Sequence, residues 1–525
     1  MYNRIIIDKE PFKLTCREVE GFPWVRLDAK NFVWEEVFHE GNYLTASYTC
    51  MGRGLSRERL KQRFTNDRVD MDHRRAFEVE IDGQLLRDYF VWEDDTIVKH
   101  DNGNEELIIT FKYELIPLKV KLHTLIDGTS FLTRWLEVEN HDTRPHAVSA
   151  IFPFTGIVAT PRWESAHNIP ADRFAKYSLG FYRSNYIVGE GEFAFEELHQ
   201  GTRAFINNKA NYNPRMFILR NDNSAENFIV DMECTAHAHV EFNYWTDNEL
   251  LTRSNTPTMP VIQIRMGIAR RSTFRFIAPG ETVKSPVVHF AGIYGDLDAC
   301  VNAHYEHLRA SVLPEHPADK CNLVELNHAG YSFCEHMTKQ YLINEVDLAV
   351  SVGAGIFLVD AGWFGNFPEN WGWSMGEWTE CKLLDNSLSE VFDYARSFGL
   401  KCGMWIAIEE VGKESTVKKE HPEWVLKQGH KVLTNLDLTN KDVEDYLFKT
   451  LEDIISRYKL DLFRIDGGYN QIADHVVYGY IENKSWKYYE GLYRLIARIR
   501  DRFPGILLEN CSGGGGRVDL GMLRL

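Results

Sequence analysis

The sequence predicts a multidomain protein of β plus α/β class: an N-terminal β-sandwich followed by a (β/α)₈ barrel of TIM type, present only to about its fifth strand. Three observations support this prediction. Short alternating strands separated by turns fill roughly the first 290 residues. From about residue 320 the pattern becomes strand, helix, strand, helix, as in a parallel sheet. A chain of 525 residues is also too long for one hydrophobic core.

The N-terminal region contains clear hairpin signals. Residues 77–86, FEVEIDGQLL, alternate apolar and polar side chains around Asp82-Gly83, a favoured two-residue turn. Residues 118–122 alternate Leu or Val with Lys, and residues 272–288 read as strand, Pro-Gly turn and strand. We therefore predict the sandwich over residues 1–294 and a helical connector, ended by prolines, over residues 295–319.

Residues 320–525 are predicted as the barrel. Five apolar runs read as strands and four amphipathic runs read as helices between them. The strand candidates are 322–330, 356–363, 401–409, 461–466 and 505–511, and the helix candidates are 339–353, 388–399, 441–459 and 485–503. A closed barrel needs eight such units. The alternatives are an open doubly wound sheet or a barrel without its last three units, and the motifs favour the second.

Composition excludes several classes of function. A net charge of −17 argues against nucleic-acid binding, which needs a basic surface. The sequence has no secretory signal and no run of about 18 apolar residues, so no membrane segment is expected. Nine scattered cysteines predict reduced thiols in a cytoplasmic protein. HExxH and GxSxG motifs are absent, and neither a metal nor an organic cofactor is implied.

Functional residues of a (β/α)₈ barrel cluster where its strands end. The residues that close the five predicted strands are Asn327, Asp360, Glu409, Asp466 and the group Glu509–Cys511. An Asp after a strand can instead cap a helix or form an Asx-turn, and that alternative stays open for each acid. Asp466 stands out because it follows an apolar run and precedes Gly467-Gly468, where the backbone can turn sharply beside a ligand.

Two further patterns point to a ligand site. Six of the thirteen tryptophans lie between residues 363 and 424, and indole faces suit the apolar C–H faces of sugar rings. Residues 509–519, ENCSGGGGRVD, place four glycines directly after a buried strand. Close backbone approach to a ligand explains them better than a flexible linker does. A phosphate cradle is the competing interpretation, although no GxxxxGK[ST] motif supports it.

Six motifs resemble, in order, those of the family 36 glycoside hydrolases, the α-galactosidases of melibiase type. They are LVDAGWFG (358–365), GLKCGMWIAIEEV (399–411), HPEWVL (421–426), NLDLTNKDVEDYLF (435–448), LFRIDGGYN (462–470) and ENCSGGGGRVDLGML (509–523). The resemblance covers about residues 320–523 and reaches the N-terminal half through architecture, since that family carries a β-sandwich before its barrel.

The resemblance implies a role for each matching residue. Asp466 corresponds to the catalytic nucleophile, and Arg464 stands where the family usually has a Lys that contacts sugar hydroxyls. The implied substrate-binding residues are Asp360, Trp363, Trp378, Trp405, Glu409, Arg464, Cys511, Gly513 and Gly514. Trp378 belongs to Gly376-Glu377-Trp378, which looks like the family's substrate-stacking element. The family's general acid/base lies on the sixth strand and would fall beyond Leu525.

Several positions depart from the family pattern. Ala361 replaces the second Asp of an Asp-Asp pair, and Ala407 stands where the family often has Glu. Ile465, Gly467 and Gly468 replace Trp, Met and Asn around the nucleophile. Loss of a hydrogen-bond partner can change sugar preference by orders of magnitude, so an N-acetylgalactosaminide or another α-glycoside stays open as the substrate.

The sequence thus predicts a retaining α-glycoside hydrolase, α-galactosidase-like, that acts on an oligosaccharide or another α-glycoside through Asp466. The alternatives are a transglycosylase of the same family and a non-catalytic sugar-binding homologue. No nucleic acid and no membrane are expected as partners. A homo-oligomer is expected because members of the family often form one.

Overall fold

We analysed a computed structural model of the chain. It describes residues 5–9, 12–19, 22–50, 74–159, 176–183, 192–206, 215–247, 259–269, 275–315, 317, 319–320, 323–328, 337–365, 370–467, 474–477 and 480–525.

The N-terminal region is built from twenty-two described strands. In chain order they are β1 (Ile5–Lys9), β2 (Phe12–Val19), β3 (Phe22–Asp28), β4 (Val33–His39), β5 (Asn42–Thr49), β6 (Glu78–Ile81), β7 (Gln84–Leu85), β8 (Phe90–Lys99), β9 (Glu105–Tyr113), β10 (Leu118–Ile126), β11 (Leu132–Asn140), β12 (His146–Ala159), β13 (Tyr177–Arg183), β14 (Glu192–Glu197), β15 (Gly201–Ile206), β16 (Phe217–Asn221), β17 (Glu226–Glu233), β18 (His239–Asp247), β19 (Met259–Ala269), β20 (Arg275–Ile277), β21 (Thr282–Lys284) and β22 (Val287–Tyr294).

These strands form three antiparallel sheets. The first is the five-stranded sheet β1-β2-β3-β4-β5. A ten-stranded sheet runs β14-β13-β16-β17-β22-β11-β10-β9-β8, with β21 paired to β11. A seven-stranded sheet runs β15-β18-β19-β12-β6-β7, with β20 paired to β12. The predicted β-rich N-terminal region is confirmed.

The predicted hairpin over residues 77–86 is present as β6 and β7. Asp82 and Gly83 form its turn with φ values of +52° and +79°. A two-residue turn with both φ values positive matches the twist of the flanking strands, and Asp-Gly is one of the pairs that adopt it readily.

Aromatic side chains join the three sheets in one core. The ring of Trp34 on β4 lies 5.7 Å from that of Phe154 on β12 and 5.2 Å from that of Phe290 on β22. Beside them, Arg134 donates to both carboxyl oxygens of Glu36 at 2.6 and 2.8 Å, and both side chains are buried. The indole N–H of Trp34 donates to the same carboxylate at 2.9 Å, so the buried charge is paired on every side that the aromatics leave open.

The predicted connector is a helix, α1 (Leu297–His307), followed by a π-helical turn over Leu308–Val312. Asp296 caps its N-terminus, because the carboxylate accepts the backbone N–H of Ala299 at 2.9 Å.

The C-terminal region alternates strands and helices as predicted. Its strands are β23 (Glu325–Asn327), β24 (Ile356–Val359), β25 (Lys401–Ile406), β26 (Val425–Gln428), β27 (Lys431–Leu436), β28 (Leu462–Ile465), β29 (Asp474–Val477), β30 (Tyr480–Asn483) and β31 (Leu507–Asn510). Its helices are α2 (Lys339–Ser351), α3 (Leu388–Ser397), α4 (Thr416–Glu420), α5 (Lys441–Tyr458), α6 (Ser485–Arg502), the short turn α7 (Ser512–Gly515) and α8 (Leu520–Leu523). Single 3₁₀ turns occupy Trp371–Ser374 and Pro422–Trp424.

All five predicted strands pair in parallel in the order β23-β24-β25-β28-β31, which is their order along the chain. The four predicted helices lie between them as α2, α3, α5 and α6, and the short helix α4 between β25 and β28 was not predicted. In α5 the predicted apolar face is buried, except that Tyr446 is only half-buried. Two antiparallel hairpins, β26-β27 and β29-β30, were not predicted, because their short strands lie in the loops between units.

None of the helices that the structure describes is both long and apolar enough to cross a membrane.

A buried hydrogen-bond network of acids and histidines links α1 to the β-rich region. Asp127 accepts from Nδ1 of His307 at 2.6 Å, Nε2 of His307 lies 2.8 Å from Nδ1 of His289, and Nε2 of His289 lies 2.9 Å from Glu233. Arg524, near the last described residue, also donates to Glu233 at 2.9 Å. Burial acts to raise the pKa of Asp127, but the hydrogen bond and charge of His307 outweigh it and lower that pKa to about 2.

We predict that Asp127→Asn lowers the free energy of unfolding by about 2 kcal/mol at pH 7, because the carboxylate is ionised more readily in the folded than in the unfolded chain. The stabilisation that Asp127 gives is present above pH 4 and is lost as the pH falls towards 2. The deficit of the variant should therefore shrink between pH 7 and pH 3.5 in urea unfolding. Asp298→Asn, an exposed acid on α1, is the matched control. An equal deficit at both pH values would contradict the linkage.

Candidate active site

Four of the five predicted strand-closing positions come together at one edge of the parallel sheet. The fifth prediction is wrong, because β25 ends at Ile406 and Glu409 lies three residues beyond it. Asp360 follows β24, Asp466 follows β28 and Cys511 follows β31, while Asn327 is the last residue of β23. Because parallel strands present their carboxyl ends at the same edge, these four side chains share one mouth.

Arg464 on β28 is the hub of this mouth. Its guanidinium donates to Asn327 at 3.0 Å, to Glu325 and to Glu509 at 3.0 Å, and lies 3.5 Å from Asp360. Glu325 lies on β23, three strands away from β28 in one direction, and Glu509 lies on β31, the neighbour in the other. Three strand spacings in a flat sheet would be about 14 Å, beyond the reach of one side chain, so the sheet curls strongly around this cation.

Burial sets the charge state of the acids around Arg464. It raises the pKa of Asp360 above its ordinary value, although the Ala361 N–H, Asn327 and Arg464 oppose the shift. Burial likewise raises the pKa of Glu325, with Arg464 opposing and the nearby carboxyl of Glu509 reinforcing it. The same acids raise the pKa of Arg464 despite its burial. The mouth thus holds a fixed cation, and two of the carboxyl groups beside it, those of Asp360 and Glu325, have raised pKa values.

The carboxylate of Asp466 is held by three N–H donors. One oxygen accepts the backbone N–H of Gly467 at 2.7 Å and that of Gly513 at 2.6 Å. The other oxygen accepts the indole N–H of Trp405 at 2.8 Å. These donors come from three different segments, so the carboxylate cannot rotate without breaking bonds in at least one of them. A fixed, half-buried carboxylate at a mouth suits attack on an electrophilic carbon.

The glycine loop after β31 is left-handed over four successive residues. Ser512, Gly513, Gly514 and Gly515 have φ values of +47°, +68°, +82° and +93°. Runs of positive φ are open to glycine and strained for other residues, which explains the sequence of the loop. The turn aims the Gly513 N–H at Asp466, and a methyl group placed on Gly514 would meet nothing within 4 Å. The loop therefore contacts the carboxylate through Gly513 and borders open space at Gly514.

Cys511 begins this loop as a half-buried thiol. Burial raises its pKa, and the negative charge of Asp466 raises it further. The side chain is accordingly a neutral thiol at physiological pH and not a nucleophile.

The tryptophans of the site form layers behind Asp466. Trp405 contacts the carboxylate directly, whereas Trp363 is fully buried and donates its indole N–H to the carbonyl of Trp405 at 3.0 Å. Trp378 is also buried and stacks on Trp363 with ring centres 6.2 Å apart. Only Trp405 of these three therefore reaches the carboxylate, and the other two support it.

Glu409 lies in a buried ion pair. Arg517 donates to its two oxygens at 2.6 and 2.8 Å, and the hydroxyl of Tyr488 donates to one of them at 2.6 Å. Both Glu409 and Arg517 are almost completely shielded from solvent. The pair links the segment after β25 to the segment after the glycine loop, which makes Glu409 a support of the site.

Glu410 is a carboxylate of the site that the sequence analysis did not select. A methyl group placed on Gly467 would lie 3.0 Å from a carboxyl oxygen of Glu410 and 3.5 Å from Cβ of Ala407. The half-buried Glu410 carboxylate thus borders the turn that follows Asp466. The sequence did offer a signal for Glu410, the adjacent acids Glu409 and Glu410. Successive side chains of an extended chain point in opposite directions, so the two acids were bound to have different surroundings.

Among the residues that the structure describes, no group of three or more His, Cys, Asp or Glu side chains is arranged to hold a metal ion.

Comparison with known proteins places the C-terminal part of the chain. Residues 282–525 match the family model of Melibiase. The resemblance to the family 36 glycoside hydrolases is therefore confirmed over these residues.

Particular relatives make the same connection. The bifunctional alpha-galactosidase/sucrose kinase AgaSK of Mediterraneibacter gnavus is 34% identical over 221 residues, 38% of this chain and 23% of the relative. Alpha-galactosidase AgaA of Geobacillus stearothermophilus is 26% identical over 295 residues, 54% of this chain and 40% of the relative. The aligned part thus spans less than half the length of these two curated relatives.

Solved structures share the fold over nearly the whole chain. The alpha-galactosidase of Lactobacillus brevis superposes with a TM-score of 0.80 at 15% identity, covering 97% of this chain and 72% of that chain. A variant of GH36 alpha-galactosidase AgaA in complex with raffinose superposes with a TM-score of 0.79 at 19% identity, covering 95% and 74%. At these identities the likeness establishes the fold.

We predict that Glu409→Gln lowers the free energy of unfolding by about 3 kcal/mol, since it leaves the buried Arg517 without its counter-charge. The double variant Glu409→Gln/Arg517→Met should recover part of this loss, because it removes both charges. Urea unfolding measures both effects, with the exposed Glu423→Gln as the matched control. A variant of normal stability that fails only in sugar binding would instead make Glu409 a direct ligand.

Proposed function

We propose that this protein is a retaining α-glycoside hydrolase, α-galactosidase-like, with Asp466 as its nucleophile. The observation that carries the proposal is the half-buried Asp466 carboxylate after the fourth parallel strand, held by three N–H donors. The match of residues 282–525 to the Melibiase family model and the alpha-galactosidase relatives support the same activity.

We infer that the five parallel strands are the first five units of a (β/α)₈ barrel. The support is the curvature that lets one guanidinium reach β23 and β31 together, since a doubly wound open sheet keeps such strands far apart. The proposed division is a β-sandwich over residues 1–294, a connector over residues 295–319 and the barrel from residue 320.

In the proposed reaction the Asp466 carboxylate attacks the anomeric carbon of an α-glycoside. The bond to the leaving oxygen breaks as the bond to the carboxylate forms, and a second carboxyl group protonates that oxygen. Water then attacks the glycosyl-enzyme, the same second group takes its proton, and the Asp466 carboxylate leaves. Two inversions give net retention of configuration.

The neighbouring groups divide into binding and support. Asp360, Arg464 and Trp405 contact or adjoin the mouth and would hold ring hydroxyls, while Cys511, Gly513 and Gly514 would line the pocket. Trp363, Trp378 and Glu409 hold these groups in place from behind. Because support residues control geometry, their replacement should affect both binding and turnover.

An α-galactosyl oligosaccharide is the proposed substrate class. The AgaA variant crystallised with raffinose supports this choice. Ala361 and Ala407 leave two methyl groups where the family resemblance implies acids. We propose that Glu410 supplies the carboxylate that Ala407 lacks, because both border the same small volume over Gly467.

We predict that Asp466→Ala in the full-length gene product lowers kcat by at least about 10³-fold while the thermal unfolding temperature changes little. Azide should restore activity and yield the β-glycosyl azide, because the anion attacks the anomeric carbon in place of the missing carboxylate. Product configuration by NMR is the measurement. Undiminished hydrolysis would remove Asp466 from the mechanism. Sugar binding without hydrolysis in the unaltered protein would favour a sugar-binding homologue, and transfer products at high acceptor concentration would favour a transglycosylase.

We predict that Glu410→Gln raises KM for α-galactosides about tenfold or more, because a hydrogen bond to a charged group contributes about 1.5–3 kcal/mol. The swap Ala407→Glu/Glu410→Ala should restore part of the affinity, since it returns a carboxylate to the same volume. Steady-state kinetics on a panel of α-glycosides measures both, with Glu414→Gln on the same loop as control. Unchanged kinetics on every glycoside would exclude Glu410 from substrate binding.

A further inference from the structure

A cleft of about 610 Å³ crosses the seven-stranded sheet of the β-rich region. Its lining runs from Thr202 on β15 through Asn243 on β18 and Gln263 on β19 to Glu78 on β6. Four spacings of about 4.8 Å separate β15 from β6, so the cleft is elongated, roughly 20 Å from end to end. That shape suits a chain of several linked units better than a compact ligand.

The floor of the cleft is a preorganised row of planar polar groups. The Thr202 hydroxyl donates to the Asn243 carbonyl oxygen at 2.7 Å, and the Asn243 amide donates to the Gln263 side chain at 3.2 Å. Asn243 and Gln263 are direct cross-strand partners, which holds both side chains on rigid strands. Groups that donate and accept in one plane are matched to vicinal hydroxyl groups, which also do both.

The charges of the floor cancel internally. Glu78 accepts from Arg75 at 3.1 Å and from Arg265 at 3.0 Å, and Arg265 also donates to Glu241 at 3.4 Å. Arg87, the third guanidinium of the lining, lies 3.6 Å from the Asp88 carboxylate. Three guanidinium groups and three carboxylates thus neutralise one another in and beside the cleft. A phosphate or another anion would need an excess of positive charge here, whereas a neutral ligand needs none.

Trp245 supplies the apolar surface. It is a half-buried indole on β18, two residues after Asn243, so both lie on the same face of the sheet. An indole plate beside a row of hydrogen-bonding amides matches a sugar ring, which has apolar C–H faces and a polar edge.

We propose that this cleft is a second saccharide site that binds a neutral oligosaccharide apart from the Asp466 site. The inference that the ligand is a neutral sugar rests on the cleft alone. The narrower choice of α-galactosyl oligosaccharides rests on the proposed function. Such a site would keep a polymeric or oligomeric substrate on the protein between catalytic events, by raising the local concentration of its chains.

The test counts sites by calorimetric titration of the full-length gene product carrying Asp466→Ala, so that ligands are not hydrolysed. Raffinose, stachyose and maltotriose are the neutral probes and inorganic phosphate is the anionic one. Asn243→Ala and Trp245→Ala should each weaken one class of site at least tenfold and leave any other class unchanged. Tyr294→Ala, an exposed aromatic on another sheet, is the matched control and should change neither.

Sugar binding identical in stoichiometry and affinity in the Asn243 and Trp245 variants would overturn the proposal, as would binding of phosphate but of no neutral sugar. Hydrolysis of a small aryl α-galactoside is measured separately in chains with Asp466 intact. The Trp245 variant should hydrolyse it at the normal rate. Failure of hydrolysis in the unaltered protein would contradict the proposed function without affecting the count of sugar sites.

Discussion

The site depends on one cation, the Arg464 guanidinium. Glu325, Asp360 and Glu509 surround it on three strands, and without a shared positive charge these carboxyl groups would repel one another at the mouth of the sheet. The cation also bridges the two edges of the sheet, because it contacts Glu325 on β23 and Glu509 on β31. The curvature of the sheet therefore depends on charge balance. The strands can approach one another at this edge only if Arg464 neutralises the acids that they carry.

Asp466 is held by a different kind of hydrogen-bond partner from the acids around Arg464. Its partners are neutral N–H groups: two backbone amides and one indole. Dipolar donors orient a carboxylate without cancelling its charge, so its oxygens stay nucleophilic in a way that a bidentate ion pair would prevent. The contrast with Glu409 is instructive, since both of its oxygens are engaged by Arg517 and it is shielded from solvent. Two acids in the segments after neighbouring strands thus differ in chemistry, because Asp466 accepts from neutral N–H groups and Glu409 pairs with an arginine.

Features of the fold that depend on residues close together in the sequence could be predicted, and features that depend on distant contacts could not. The five parallel strands and the four longer helices between them follow from apolar runs and amphipathic periodicity, which are local properties, and these were predicted. The glycine loop was predicted to approach a ligand, and in the structure its Gly513 N–H donates to Asp466. The burial of Trp363 and Glu409 could not be predicted, since it depends on which face of a strand end meets Arg517 or Trp405 across more than 40 residues of chain. Glu410 escaped for the same reason: only the fold brings it against Gly467.

The layered tryptophans explain why residues far from the carboxylate carry the family resemblance so clearly. Trp378 stacks on Trp363, Trp363 donates to the backbone of Trp405, and the Trp405 indole orients Asp466. A shift of the Trp378 ring would therefore displace Trp363 and then Trp405, because buried aromatic side chains are packed at close to crystalline density. Ala361, Ala407 and Glu410 are not members of this stack, and Glu410 borders Gly467 instead. Such an arrangement lets positions that depart from the family pattern change while the rings that orient the nucleophile stay fixed.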